Sequence, residues 1–162
     1  MIVGRGDIAS VLKDREGAIF FASGVSNSTE TNQSEYWREM ELLDKQDRNK
    51  CLFYFSSISV DDMDKIGNEY LMHKRRMELL IKSNFKNYNI IRIGNISWGD
   101  NPNTFLNYIK NKIKNGDPVE IKDEYKYIID KEQLVLLTDN LPLIGQNIIC
   151  AFSKMAKVNE LI

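Results

Sequence analysis

Apolar residues in this chain gather into short unbroken runs, separated by stretches in which they recur every three or four positions. An unbroken run suits a strand covered on both faces, as in a parallel sheet. The runs predict strands over residues 1–3, 17–22, 50–56, 89–96, 125–129 and 146–152, with a further short one at 119–121. The periodic stretches predict helices. The first covers about 9–14 through Ala9, Val11 and Leu12, and the second 35–45, with Ser34 as N-cap and Tyr36, Met40 and Leu43 as its apolar stripe. The acidic segment Asp61-Asp-Met-Asp64, whose charges favour a helix N-terminus, precedes or starts a third, which continues through Met77, Leu80 and Ile81 to about Ser83. A fourth spans 103–114, with Phe105, Leu106, Ile109 and Ile113 facing a core, and Gly116-Asp-Pro118 stops it. A fifth covers 131–138, and residues 158–162 read as the start of another. Strands alternating with helices predict an α/β fold: a Rossmann-like, mostly parallel sheet with helices on both faces.

Composition narrows the class. At 162 residues the chain suits one domain, expected to span 1–162. A net charge of −1 from interspersed acids and bases argues against nucleic acid or an anionic membrane as partner. No stretch approaches membrane-spanning length, and the N-terminus lacks a charged leader followed by an apolar run, so a cytoplasmic protein is expected. Cys51 and Cys150 both lie in apolar runs and are expected as buried free thiols of a reducing compartment. His73 is the sole histidine, and with only two thiols to join it no metal centre is expected.

Three stretches carry candidate chemistry. Gly4-Arg-Gly6-Asp-Ile-Ala9 stands between the first strand and the first helix. In a dinucleotide-binding turn the first glycine permits the tight bend and the second lets backbone approach a pyrophosphate. The small third residue allows close helix packing. The alternative is a glycine-rich turn with no ligand. Ser56 and Ser57 close the strand over 50–56, at the end where open α/β sheets bind ligands. Tyr70 and Lys74 are four positions apart, hence on one face of a helix. A cation beside a phenol favours the phenolate and lowers a pKa that is otherwise about 10.

Taken in order, Gly4-x-Gly6-x-x-Ala9, Phe21-Ala-Ser-Gly24, Tyr54-Phe-Ser-Ser57, Tyr70-x-x-x-Lys74 and Ile90-Ile-Arg-Ile-Gly-Asn95 resemble the extended short-chain dehydrogenase/reductases. These are the NAD-dependent epimerase/dehydratases of nucleotide sugars, and the likeness is to compact members of bacterial surface-polysaccharide synthesis. Ser57 precedes Val60 by three, Glu78 follows Lys74 by four, and residues 127–134 are similar to a later family segment. The resemblance implies NAD or NADP as cofactor and a nucleotide sugar as substrate. Tyr70 would be the acid/base, Lys74 would bind the nicotinamide ribose, and Ser57 would hold the reacting oxygen. Gly4, Gly6, Ile8 and Ala9 would form the pyrophosphate turn, Ala22, Ser23 and Gly24 would line the cofactor, and Asn95 would contact the sugar nucleotide. It also implies a homodimer through the Tyr70/Lys74 helix and its predecessor, which carry Tyr36, Trp37, Met40, Met72 and Met77; those positions could equally be core.

The chain departs from the family in several places, among them a short loop between Ser57 and Tyr70. The family has two more strand–helix units between the glycine turn and the second strand, and the usual ribose-reading acid, about twenty residues past the turn, is matched in position only by Glu30. The C-terminal substrate-binding part reads as truncated. Two functional readings follow: an active nucleotide-sugar enzyme with a Ser57, Tyr70, Lys74 site, or a catalytically inactive Rossmann-like module that binds a nucleotide or a partner.

Overall fold

The structure, a computed structural model, describes residues 1–119 and 124–161. In chain order, β1 (Ile2–Val3) leads through α1 (Asp7–Val11) to β2 (Ala18–Phe21), and α2 (Gln33–Asp44) leads to β3 (Cys51–Ser57). Then come α3 (Glu69–Asn84), β4 (Tyr88–Ile93), β5 (Asn95–Ile96) and α4 (Phe105–Asn115). The chain finishes with β6 (Tyr125–Ile129), α5 (Lys131–Asn140), β7 (Gln146–Ala151) and β8 (Lys154–Lys157). One sheet has the order β1-β2-β3-β4-β7 with every pair parallel. A smaller sheet, β5-β6-β8, lies beyond the carboxyl ends of β4 and β7.

Alternation along the buried strands divides the core in two. Phe20, Phe53, Phe55 and Ile91 face one side with Leu12 from the α1 end and Leu134 from α5. Ile19, Leu52, Tyr54 and Ile90 face the other, under Leu43 of α2 and Met77 and Ile81 of α3. Phe20 and Phe53 are register partners with ring centroids 4.8 Å apart. Each fully buried side chain of this size contributes about 1.5–3 kcal/mol. The sheet with helices on both faces is therefore as the pattern of runs predicts.

The first connection is unusual. The step from β1 to β2 crosses the sheet in the same direction as the step from β2 to β3, yet α1 packs on the face opposite α2. The two connections turn in opposite senses, which right-handed crossovers alone never give. No further strand enters between Val11 and Ala18, so β1 has β2 as its sole sheet neighbour among the described residues.

Several boundaries differ from the sequence expectation. The third helix begins at Glu69, so the acidic segment precedes it and does not start it; Asn68 caps it by accepting from the Leu71 N–H at 3.0 Å. The acidic stretch before it forms two 3₁₀ turns, Ile58–Asp61 and Met63–Lys65. The second helix begins at Gln33, capped by Asn32, which takes the Ser34 N–H and so leaves Ser34 inside the helix. The strand expected over 89–96 breaks at Gly94, where the chain passes from one sheet to the other. A Cβ there would stand 2.6 Å from the Tyr127 carbonyl oxygen. β8 has no counterpart in the sequence pattern; it follows β7 into the small sheet, and its sequence, Lys154-Met-Ala-Lys157, carries no apolar run. Residues Val158–Glu160 form a 3₁₀ turn. Of the strand expected at 119–121, all but Val119 lies outside the described residues. Cys51 is buried, but Cys150 is exposed, because alternate residues of the edge strand β7 point away from the core. Both thiols are free. No helix among the described residues is long and apolar enough to cross a membrane.

Candidate functional site

The glycine turn follows β1 directly. Gly4 has φ +129°, and a Cβ there would collide with the Ala22 carbonyl, so the first glycine is required by the approach of the β2 end. Gly6 is different. Its φ is −80° and a Cβ would meet nothing within 4 Å, so open space lies beside its backbone. Ile8 packs against the core and Ala9 is buried, fixing α1 to the sheet. The Asp7 carboxylate accepts from the backbone N–H groups of Asp100 (3.3 Å) and Asn101 (3.1 Å). Trp98 donates its indole N–H to the Asp7 carbonyl at 2.9 Å. The loop after β5 is thereby tied to the turn, and Asn101 carries it on to Ser26 at 3.2 Å.

Beyond β2, Ala22, Ser23 and Gly24 are half-buried. Arg38 of α2 donates to the Ser23 hydroxyl at 3.2 Å and to its carbonyl at 3.1 Å. At the end of β3 the two serines part company. Ser56 is buried and donates to Glu78 at 2.7 Å. Ser57 is half-buried, and its hydroxyl accepts from the Ser59 N–H at 3.2 Å, capping a 3₁₀ turn. Glu78 takes two further bonds from Arg92 of β4, at 3.0 and 2.7 Å, and Arg92 also pairs with Asp61. These bonds to Glu78 raise the Arg92 pKa and keep the guanidinium charged.

Tyr70 and Lys74 share one face of α3, with the Lys74 ammonium 5.6 Å from the Tyr70 ring centroid. Tyr70 is half-buried, whereas Lys74 is 2% exposed. The ammonium lies 3.2 Å from the Tyr54 hydroxyl and 3.6 Å from the Glu39 carboxylate. Gly24 covers it so closely that a Cβ there would stand 2.8 Å from the nitrogen and 2.9 Å from Glu39 Oε1. Burial raises the Tyr70 pKa; the Lys74 charge lowers it and Glu39 opposes Lys74, so the phenol lies above its ordinary value. The expected depression of this phenol is therefore reversed: the cation is present, but desolvation and a carboxylate outweigh it.

Glu39 is the centre of the cluster and is wholly buried. It accepts from the Val25 N–H at 2.8 Å and the Tyr54 hydroxyl at 2.8 Å, with His73 Nε2 also at 2.8 Å. Burial pushes its pKa up, but Lys74, His73 and Val25 outweigh that and hold the carboxyl down at about 2. Burial first, then Glu39, raises the Tyr54 phenol. Tyr36 stacks on His73 with centroids 4.4 Å apart, and His73 Nδ1 is buried with no hydrogen-bond partner among the described residues.

The structure thus joins Gly24 to Lys74, Lys74 to Tyr70, and Gly4 to Ala22. Asn95 stands apart from these contacts, in the small sheet, where its amide donates to the Tyr127 carbonyl at 3.1 Å. Sequence reasoning missed Glu39, Tyr54 and His73. Glu39 had a signal: it lies three positions after Tyr36 and four before Leu43, both buried, so an acid falls on the apolar stripe of α2. Of the candidate dimer positions, Tyr36 and Met77 are buried, whereas Trp37 (60%) and Met72 (49%) are exposed.

No family model matches the sequence, and no curated protein matches it. Solved structures do match. The enzyme WbmH of Bordetella bronchiseptica, in complex with NAD+, has a TM-score of 0.70 at 11% identity over 89% of this chain and 55% of its own. UDP-glucose 4-epimerase from Thermus thermophilus, in complex with NAD, has a TM-score of 0.61 at 12% identity over 90% and 59%. The capsular polysaccharide assembling protein CapF from Staphylococcus aureus has a TM-score of 0.56 at 16% identity over 95% and 44%. The fold of this chain is the Rossmann-like fold of these proteins, and the chain spans about half the length of the solved structures it matches.

Proposed function

We propose that this chain is an NAD(P)-dependent protein of the nucleotide-sugar epimerase, dehydratase or reductase kind, working at a sugar carbon in the cytoplasm. The observation that carries the reading is the cluster at the carboxyl ends of β2 and β3. There Tyr70 and Lys74 share a helix face, and Gly24 closes on the Lys74 ammonium. The open backbone at Gly6 and the exposed Arg5 beside it suit a pyrophosphate. The fit is good at the turn and tight at the lysine. An ammonium has three N–H groups, and two face Tyr54 and Glu39, which leaves one for a ribose hydroxyl.

When bound, the nicotinamide supplies the hydride acceptor or donor. The chain's own residues manage the rest. Tyr70 exchanges the matching proton with the sugar oxygen, Ser57 holds that oxygen, and Asn95 meets the nucleotide part of the substrate. Ala22, Ser23 and Gly24 flank the cofactor, with Gly4, Gly6, Ile8 and Ala9 at its phosphates. Exposed Trp37, Met72 and Leu79 on α2 and α3 support pairing of two copies through these helices, which light scattering would register as a dimer mass.

A second reading, a Rossmann-like module without turnover, is favoured by one observation: Lys74 is enclosed by protein groups and 2% exposed. Thermal shift with NAD(H) and NADP(H) separates the two. Ligand at a hundredfold its dissociation constant stabilises by about 2.7 kcal/mol. Binding followed by loss of turnover in Tyr70→Phe supports the enzyme; no shift with any dinucleotide at millimolar concentration supports the module.

A further inference from the structure

We propose that Glu39 is a positioning residue for the Tyr70–Lys74 pair: it draws the Lys74 ammonium inward beside Tyr54 and so governs how readily Tyr70 gives up its proton. The inference rests on the reading of Tyr70 as the acid/base. A lysine assists a neighbouring phenol only through whatever part of its charge is left uncancelled. Here a carboxylate lies 3.6 Å from the ammonium with both side chains buried, where opposite charges interact more strongly than in water.

The carboxylate is itself immobilised. Its two oxygens have about four acceptor sites. The Val25 N–H and His73 occupy one oxygen, and Tyr54 and Lys74 the other. Gly24 seals the arrangement, because no side chain would fit between it and the ion pair. Lys74 is accordingly held by α2 and β3 as well as by its own helix. The charges that bear on Tyr70 are Lys74 from its own helix and Glu39 from α2; the Tyr36 phenol of α2 and the Tyr54 phenol of β3 are coupled to it, with Glu30 and Glu69 acting on Tyr36 and Glu78 on Tyr54. Of these, Glu39 is the buried acid in direct contact with Lys74. Glutamine is the matched replacement: its NH₂ can take the Oε1 position, since the Tyr54 hydroxyl can turn to accept.

The test is the ionisation of Tyr70 itself, followed by NMR of protein labelled with ¹³Cζ-tyrosine and assigned with Tyr70→Phe. In folded Glu39→Gln, Tyr70 ionises at lower pH than in wild type. An unchanged or raised Tyr70 midpoint overturns the proposal. Where Glu39→Gln does not fold, Glu39→Asp keeps the charge and draws the carboxylate back from the ammonium by one methylene. Tyr70 then ionises at lower pH than in wild type, and an unchanged or raised midpoint overturns the proposal. Once turnover is in hand, the alkaline limb of kcat/KM moves in the same direction as the phenol in Glu39→Gln; a limb that stays put overturns the control of proton transfer. Failure of wild type to bind any dinucleotide removes the enzyme reading without touching the phenol titration, so the two failures are told apart.

Discussion

The Glu39 carboxylate lies 3.6 Å from the Lys74 ammonium, with side chains 0% and 3% exposed. Such a pair makes the fold sensitive to acid. The folded carboxyl is held at about 2 against an ordinary value of 4.5. Its contribution is therefore fully present above pH 4.5 and is lost as pH falls through 2, and it amounts to something on the order of 3 kcal/mol. Urea unfolding across that window should show stability dropping steeply in wild type and less steeply in Glu39→Gln.

The Glu78–Arg92 pair should behave as a unit. Glu78 is 3% exposed and is served by Arg92 through two bonds, by Ser56, and by Lys82 at 3.9 Å. Arg92→Met strands that charge and should cost about 3 kcal/mol. Adding Glu78→Gln removes the stranded charge, so the double variant should be more stable than Arg92→Met alone. Denaturant midpoints of the three proteins check the order.

The two glycines of the first turn should separate folding from binding. Gly4→Ala places a Cβ on the Ala22 carbonyl at φ +129° and should cost more than about 2 kcal/mol. Gly6→Ala has open space and an ordinary φ, so its stability should stay within about 1 kcal/mol of wild type. If the turn cradles a pyrophosphate, the same methyl stands where the phosphate must approach, and dinucleotide affinity falls while the melting temperature does not. Paired thermal melts and binding titrations read both.

Thiol chemistry should be confined to one site. Cys51 is 2% exposed, and burial, against the Asn89 amide bond, pushes its pKa up to about 11. Cys150 is exposed on β7. Iodoacetamide at neutral pH should add one label per folded chain, at Cys150, by peptide mass analysis, and a second only on unfolding.

How much of this was legible beforehand depended on which force set each feature. The central strands were plain, because unbroken runs such as Cys51-Leu-Phe-Tyr-Phe55 have no other stable home than a covered sheet. Helix starts were less so. The acids at 61, 62 and 64 suit a helix N-terminus, but Gly67 at φ +92° interrupts the chain and the Asn68 side chain supplies the actual cap. β8 was invisible because a short edge strand in a small sheet needs no apolar pattern. The Tyr70–Lys74 spacing was readable, but the company Lys74 keeps was not: Glu39, Tyr54 and Gly24 come from three separate elements, and their convergence is a product of tertiary packing.

The two-residue β1 makes the glycine turn a border post rather than the middle of a crevice. A dinucleotide settling there would be gripped along one flank, by its phosphates and nicotinamide, and among the described residues its adenosine end would find no strand beside β1 to read the 2′ position. Such a chain would treat NAD and NADP alike.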